Sequence, residues 1–196
     1  MSALADVWPD HQPVAWRDTL LAAYGDPGRG YHDRLHLVEV LARVDELMPA
    51  DDPDREAVVL AAWFHDAVYD GGPDDEERSA LLALDALGDT PLSREVARLV
   101  RVTADHRPDE KDHAGQVLCD ADLAILAADD ERYASYATGV RKEYAHVPDR
   151  DFAAGRAAVL RDLVAKPALF HTAAARQWWE ERARANVRRE LEALER

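Results

Sequence analysis

The chain has 196 residues, of which 47% are apolar, and 39 acidic against 24 basic side chains give a net charge of −15. This length and apolar content predict a single domain with a substantial core. The charge repels nucleic acid polymers and anionic lipid, so the composition argues against both as partners. A small phosphorylated substrate would meet the same repulsion, and its site would need local cations, either a bound metal or clustered arginine.

The lone Cys119 can form neither an internal disulfide nor a thiolate zinc cage, which is typical of a reducing compartment. The N-terminal residues lack a basic start followed by an apolar run, and no segment approaches about 18 uninterrupted apolar residues. We therefore expect a cytoplasmic protein that does not contact membranes. The sequence leaves open whether it forms a homo-oligomer.

Apolar residues recur at intervals of three and four along nearly the whole chain, without a convincing stretch of strict alternation. This pattern predicts an all-α, single-domain bundle of about eight helices over residues 1–196. Its core is expected at about 14–170, and a charged C-terminal helix at about 173–194 is expected to be solvated or docked. The predicted helices are about 14–24, 34–47, 53–70, 75–87, 93–104, 115–127, 130–145, 150–165 and 173–194.

Two His-Asp dipeptides occur in different surroundings. His65-Asp66 interrupts the apolar run AVVLAAWFHDAVY, where an imidazole and a carboxylate must be paired or metal-bound to offset their desolvation. A buried pair satisfied by neighbouring groups is the alternative. His32-Asp33 lies near a predicted helix start, where Asp33 can simply act as the N-cap.

Two further side chains can complete a metal site with the second dipeptide. His36 lies beside the apolar face of the second predicted helix, and Asp122 lies in the apolar run VLCDADLAIL, where Asp120 is its competitor. Asp120 and Asp122 are about 200° apart around a helix, so only one can face the metal directly. Two imidazoles and two carboxylates suit Mn, Fe, Co, Zn or Mg and leave positions for water and substrate oxygen. The predicted metal ligands are His36, His65, Asp66 and Asp122.

This order of residues resembles the H…HD…D signature of the HD-superfamily phosphohydrolases. The chain is similar to a bacterial family of predicted metal-dependent HD phosphohydrolases over about residues 14–170. That resemblance implies an all-α HD-type domain that binds divalent metal, and it says little about the substrate. The matching segments are RGYHDRLHL at 29–37, AAWFHDAVYD at 61–70, DDEERSA at 74–80, TADH at 103–106, DADLAIL at 120–126 and VRKEY at 140–144, with Gly155-Arg156 further on.

The chain departs from these relatives in two ways. The family usually has Asn where this chain has Asp33 and Asp75, which adds negative charge near the site. Two-metal HD relatives, including oxygenases, commonly have two further His residues before the final Asp, where this chain offers only His106 and His113. One ion is therefore expected, and a second is left open. His106 could ligate a second ion, contact phosphate or cap the preceding helix.

The remaining candidates surround the predicted metal. His32 lies four residues before His36 and shares its helix face if the helix has begun there. Glu76 lies at a helix start, where the helix dipole favours a carboxylate with or without catalysis. Asp66 can act as a proton acceptor as well as a ligand. The predicted catalytic residues are Asp66, His32 and Glu76.

Substrate phosphate would be met by cations or imidazole. Arg29, Arg141 and Arg156 match the family's cations, and their planar guanidinium groups suit bidentate phosphate contacts, with a surface salt bridge as the alternative for each. The predicted substrate-binding residues are Arg29, His106 and Arg141. The sequence thus predicts hydrolysis of a small phosphate ester, such as a nucleotide, by metal-activated water. A non-catalytic metal or nucleotide sensor is the alternative, and a di-iron oxygenase is disfavoured by the thin second ligand set.

Overall fold

The computed structural model describes Leu4 and residues 7–195. Within these residues the chain has nine α-helices, one short 3-10 helix and no strand, which confirms the predicted all-α class. The α-helices are α1 (Val14–Ala23), α2 (Arg34–Leu47), α3 (Arg55–Phe64), α4 (Asp75–Leu87), α5 (Pro91–Val102), α6 (His113–Leu123), α7 (Asp130–Glu143), α8 (Asp149–Ala165) and α9 (Ala173–Leu194), and the 3-10 helix is Ala124–Ala127.

Several helices begin where a side chain satisfies the free N–H groups of the first turn. The Asp33 carboxylate accepts hydrogen bonds from the backbone N–H groups of Leu35 and His36, so the His32-Asp33 dipeptide contributes the N-cap of α2. Thr90 and Ser93 form a capping box at the start of α5. The Asp33 cap was readable from the local sequence, and the helix predicted to begin at 34 does begin there.

The end of α3 differs from the prediction. The expected helix over 53–70 stops at Phe64, and His65 and Asp66 lie in the turn that follows it. There the Arg29 guanidinium, from a distant loop, donates hydrogen bonds to the carbonyls of Asp66 at 2.8 Å and of Ala67 at 3.1 Å, which hold the chain in the turn. On this turn the two neighbouring side chains can face one point, which the 100° step of a helix would hinder.

Two apolar clusters form the interior. The first surrounds α3, whose residues from Ala57 to Phe64 are all buried, and includes side chains from α1, α2, α4, α5 and α6. The second joins α7, α8, α9 and the 3-10 helix, and it also takes in Tyr31 from the loop before α2. Leu47 packs against both clusters. The predicted metal ligands come from α2, the turn after α3 and α6.

The charged helix α9 is docked on the rest of the chain. It packs against α8 and the 3-10 helix, and Asn186 donates hydrogen bonds to the carbonyls of Leu126 and Ala128 at 2.9 Å each. Its start is tied to α6, because the Asp120 carboxylate accepts the backbone N–H groups of His171 and Thr172. No helix in the described part of the chain is long and apolar enough to cross a bilayer.

Candidate metal centre

Four side-chain atoms converge where α2, α6 and the turn after α3 meet. Nε2 of His36 lies 3.1 Å from Nε2 of His65, and Oδ2 of Asp66 lies 3.3 and 3.0 Å from these two nitrogens. Oδ1 of Asp122 lies 3.2 Å from the His36 nitrogen and 3.6 Å from that of His65. Neighbouring ligand atoms about 2.1 Å from one ion are about 3.0–3.5 Å apart. His36, His65 and Asp66 form a group that can hold a metal ion, and Asp122 adjoins it.

One buried oxygen of this group has no hydrogen-bond partner. Oδ2 of Asp66 is shielded from solvent, and although both imidazole nitrogens lie close to it, neither is aligned to donate a hydrogen bond. Leaving a buried acceptor unsatisfied costs about 1–3 kcal/mol, and the cost is larger when the acceptor is charged. A cation at the centre of the group would satisfy this oxygen, and a mixed set of imidazole nitrogens and carboxylate oxygens suits a divalent metal.

The His65 ring is held in the tautomer that a metal requires. Its Nδ1 lies 2.8 Å from the carbonyl oxygen of Ala62, which can only accept, so Nδ1 carries the hydrogen. In the neutral ring the lone pair is then on Nε2, which faces the other candidate ligands. Metal-binding imidazoles are commonly oriented by such a second hydrogen bond.

The charges of the group support one another. Burial by itself would raise the pKa of Asp66, but the neighbouring His65 and His32 imidazoles lower that pKa well below its usual range. Burial likewise opposes ionisation of Asp122, and the imidazoles of His106, His36 and His65 lower its pKa well below the usual range. Both carboxylates are therefore anionic at neutral pH. Metal binding would displace protons from the imidazoles, as ligand nitrogens must be neutral.

Asp122, and not Asp120, lies beside the imidazoles. The Asp120 side chain points to the start of α9, where its two oxygens accept the N–H groups of His171 and Thr172 at 2.7 Å each. The two carboxylates therefore have separable tasks, since one lies in the candidate metal centre and the other joins two helices.

We expect Asp122→Asn to lose bound metal yet keep a near-native melting temperature, and Asp120→Asn to keep the metal yet melt earlier. An Asn at 120 cannot accept both N–H groups, and the lost pairing would cost about 1–3 kcal/mol. For a chain of this size that corresponds to a fall of about 2–12 °C. Elemental analysis and thermal melts of the two variants measure both effects. Metal loss confined to Asp120→Asn would reverse the assignment.

His106 holds the far side of Asp122. Its Nε2 donates to Oδ2 of Asp122 at 2.8 Å, and its carbonyl accepts a hydrogen bond from the His171 ring at 3.2 Å. Its backbone has a φ of 52°, an uncommon value for a residue with a side chain, and its N–H donates to the carbonyl of Val102. Helix capping, one of the three roles left open for His106, is thus present, and the ring binds the Asp122 oxygen that faces away from the other candidate ligands. Its predicted contact with phosphate stays a prediction.

Glu143, at the end of α7, is a functional candidate that the sequence prediction missed. Its Oε1 accepts the backbone N–H groups of Gly30, Tyr31 and His32 at 2.8–2.9 Å. Its Oε2 accepts a hydrogen bond from Nδ1 of His32 at 2.8 Å and one from the Tyr69 hydroxyl at 3.3 Å. Burial opposes its ionisation, but His32 and these N–H groups lower the pKa of Glu143 to about 2. The only available signal was its position in the segment VRKEY.

Glu143 fixes the orientation of His32 beside the candidate metal centre. The condition for a helix face shared with His36 is not met, because α2 begins only at Arg34, yet the ring centroids of His32 and His36 are 5.5 Å apart. The His32 ring stacks on Tyr69 at 4.0 Å and remains about one-fifth exposed. With Nδ1 bound to a carboxylate, Nε2 is the ring atom left to exchange a proton.

The loop that carries His32 touches α7 backbone to backbone. A Cβ placed on Gly30 would overlap the carbonyl oxygen of Gly139, and one placed on Gly139 would lie 2.6 Å from the carbonyl oxygen of Gly30. This close approach brings the three N–H groups of the loop within reach of Glu143, one turn further along α7.

The predicted arginines have other partners. Arg29 donates to the carbonyls of His32, Asp66 and Ala67, so it braces the turn that carries the candidate ligands. Its predicted contact with substrate stays a prediction. The structure does not bring Arg141 to the centre, because its guanidinium binds carbonyls and Asp149 in the connection between α7 and α8.

Three other positions singled out in the sequence lie outside the centre. Arg156 pairs with Glu190 and with the Tyr136 hydroxyl in the second apolar cluster. Glu76 is half-buried in the first turn of α4, and no contact joins it to the centre among the described residues. Asp75 accepts backbone N–H groups of the loop before α4, so its charge is used to hold that loop.

Comparison of the chain with protein-family models, with curated proteins and with solved structures returns no match.

Proposed function

We propose that the protein is an HD-superfamily, metal-dependent phosphohydrolase that acts on a small phosphate ester. The observation that carries the proposal is the convergence of two imidazole nitrogens and two carboxylate oxygens at spacings of 3.0–3.6 Å around an unsatisfied buried oxygen. His36, His65, Asp66 and Asp122 would hold the ion. When bound, a divalent metal supplies a Lewis acid that lowers the pKa of a water and neutralises charge on a phosphoryl group.

His32 is the residue best arranged to move a proton. Glu143 receives its Nδ1–H and would stabilise the ring when Nε2 becomes protonated, as a carboxylate does for a catalytic histidine elsewhere. In the proposed reaction Nε2 of His32 takes a proton from the attacking water and passes it to the departing ester oxygen. Asp66, whose pKa lies well below its usual range, is a weaker base and is assigned to metal binding.

The test is a panel of phosphomonoesters and phosphodiesters assayed with the Mn²⁺-loaded protein. We expect turnover of at least one ester, its loss when EDTA removes the metal, and its return when Mn²⁺ is restored. Elemental analysis of the same samples reports whether metal is bound. A protein that holds metal and cleaves no member of the panel would contradict hydrolysis and favour the non-catalytic sensor.

A further inference from the structure

A cleft of about 670 Å³ runs from the candidate metal centre to the surface beside α9. His36 and Asp122 line its inner end, where their side chains are 2% and 15% exposed. Trp178 and Trp179 line its outer end, and Trp178 is 55% exposed. A cleft of this volume is the size that binds small organic molecules.

One residue that lines the cleft has a hydroxyl group without a partner. Tyr31 lines the cleft, it is buried, and its Oη makes no hydrogen bond. The ring is fixed from several sides, with His36 at 4.7 Å, Tyr136 at 4.6 Å and the Arg132 guanidinium at 5.6 Å from its centroid. Because buried Tyr hydroxyls usually find a partner, this one is available to an acceptor on a molecule bound at the inner end of the cleft.

The outer end offers a flat apolar surface with a cation beside it. Trp179 packs against Phe170 and beneath the guanidinium of Arg43 at 5.6 Å, while the neighbouring Trp178 is left open to solvent. Arg43 is paired with Glu46, but Arg182, one turn after Trp178, makes no ion pair within the described part of the chain. An exposed indole next to a free guanidinium suits a planar ring attached to an anionic group.

We propose that this cleft selects phosphate esters that carry a planar aromatic ring, with the ring stacked on Trp178 and the Tyr31 hydroxyl donating a hydrogen bond to a phosphoryl oxygen. The placement of the phosphate at the inner end rests on the proposed function. The ring preference rests on Trp178 and its position in the cleft. Arg182 offsets, near the entrance, the repulsion that a protein of charge −15 exerts on such an ester.

The experiment measures binding by calorimetry on the Mn²⁺-loaded protein with two uncleavable probes. These are the 5′-phosphonate analogues of adenosine monophosphate and of ribose 5-phosphate, which differ in carrying adenine or a hydroxyl at C1′. We expect the ring-bearing probe to bind about 5- to 100-fold more tightly, the range that stacking of one base on an aromatic side chain gives. Trp178→Ala should abolish most of this difference in affinity between the two probes. Trp178→Phe, which keeps an aromatic ring, should retain much of the difference.

Tyr31→Phe tests the contact at the inner end of the cleft independently of the ring contact at the outer end. Removing a hydrogen bond to a charged acceptor should weaken both probes by about 10- to 100-fold and leave the ring preference unchanged. The melting temperature should stay the same, because the hydroxyl has no partner within the protein. Leu81→Ala truncates an equally exposed apolar side chain on α4 and should leave the binding of both probes unaltered.

Equal affinity of wild-type protein for the two probes, or an intact ring preference in Trp178→Ala, would overturn the proposed selectivity. Unchanged binding of both probes to Tyr31→Phe would show that the hydroxyl does not contact the phosphate. These outcomes are independent of hydrolysis. A protein that prefers the ring-bearing probe but cleaves no ester would support the ring selectivity and contradict the proposed function. A protein that cleaves esters but shows no ring preference would support the proposed function and contradict the ring selectivity.

Discussion

Replacing His65 with alanine is expected to lower the metal affinity of the protein by more than about a hundredfold, so that purified protein retains little metal. Replacing a residue that only orients a ligand already lowers metal affinity by about 10–100-fold. His65 contributes its own Nε2 to the candidate centre, so a larger loss is expected. Asp66→Ala is expected to have the same effect, because it removes the carboxylate oxygen that lies 3.0 Å from that nitrogen.

Elemental analysis and calorimetric titration with Mn²⁺ measure this loss, and circular dichroism checks that the variants remain helical. His11→Ala is the matched control, since it deletes an exposed imidazole whose partner is the surface carboxylate of Glu56. It should bind metal like the parent protein. Full metal occupancy in folded His65→Ala and Asp66→Ala would refute the metal centre.

Loss of the His32 imidazole is expected to have the second large effect, on catalysis. His32→Ala should lower kcat on the best substrate of the panel by about 100- to 10,000-fold, the usual contribution of general acid–base catalysis. Metal content and KM should change little, because His32 is assigned to proton transfer and not to binding. Added imidazole should restore part of the lost rate, which a purely structural effect would not allow.

Glu143→Gln tests the partner of that imidazole. Glutamine keeps the shape and can still accept N–H groups from the loop, but it cannot stabilise a charged His32 ring. We therefore expect a lower kcat with KM nearly unchanged. His146→Ala, which removes an exposed ring that stacks on Tyr144, serves as the control and should retain activity. A wild-type kcat in His32→Ala would exclude the proposed proton transfer.

The helices could be predicted well where the signals that define them are local. The predicted 34–47 matches α2, whose N-cap is Asp33 and whose apolar face follows the three-and-four spacing. The end of α3 could not be predicted, because the group that holds the backbone there belongs to Arg29, 37 positions earlier in the chain. A continuous apolar run gives no sign of such a distant partner.

The candidate ligands were recognisable because a carboxylate or imidazole inside an apolar segment is costly, which marks it for pairing or metal binding. Glu143 and Tyr31 gave no such signal. Glu143 stands in a polar stretch and looks like a solvated carboxylate, and its contact with His32 spans 111 positions. Tyr31 resembles any core aromatic until the structure reveals that its hydroxyl is unsatisfied.

Gly30 and Gly139 carry no chemical group, yet the centre depends on both. Since their backbones already touch, a methyl group at either position would push the loop that carries His32 away from α7. This shift would weaken the hydrogen bond between Glu143 and His32. A saturation mutagenesis survey should therefore find these two positions as intolerant as the ligands themselves. Because the cause is steric overlap between the two backbones, no substitution at one of these positions should compensate for a larger residue at the other.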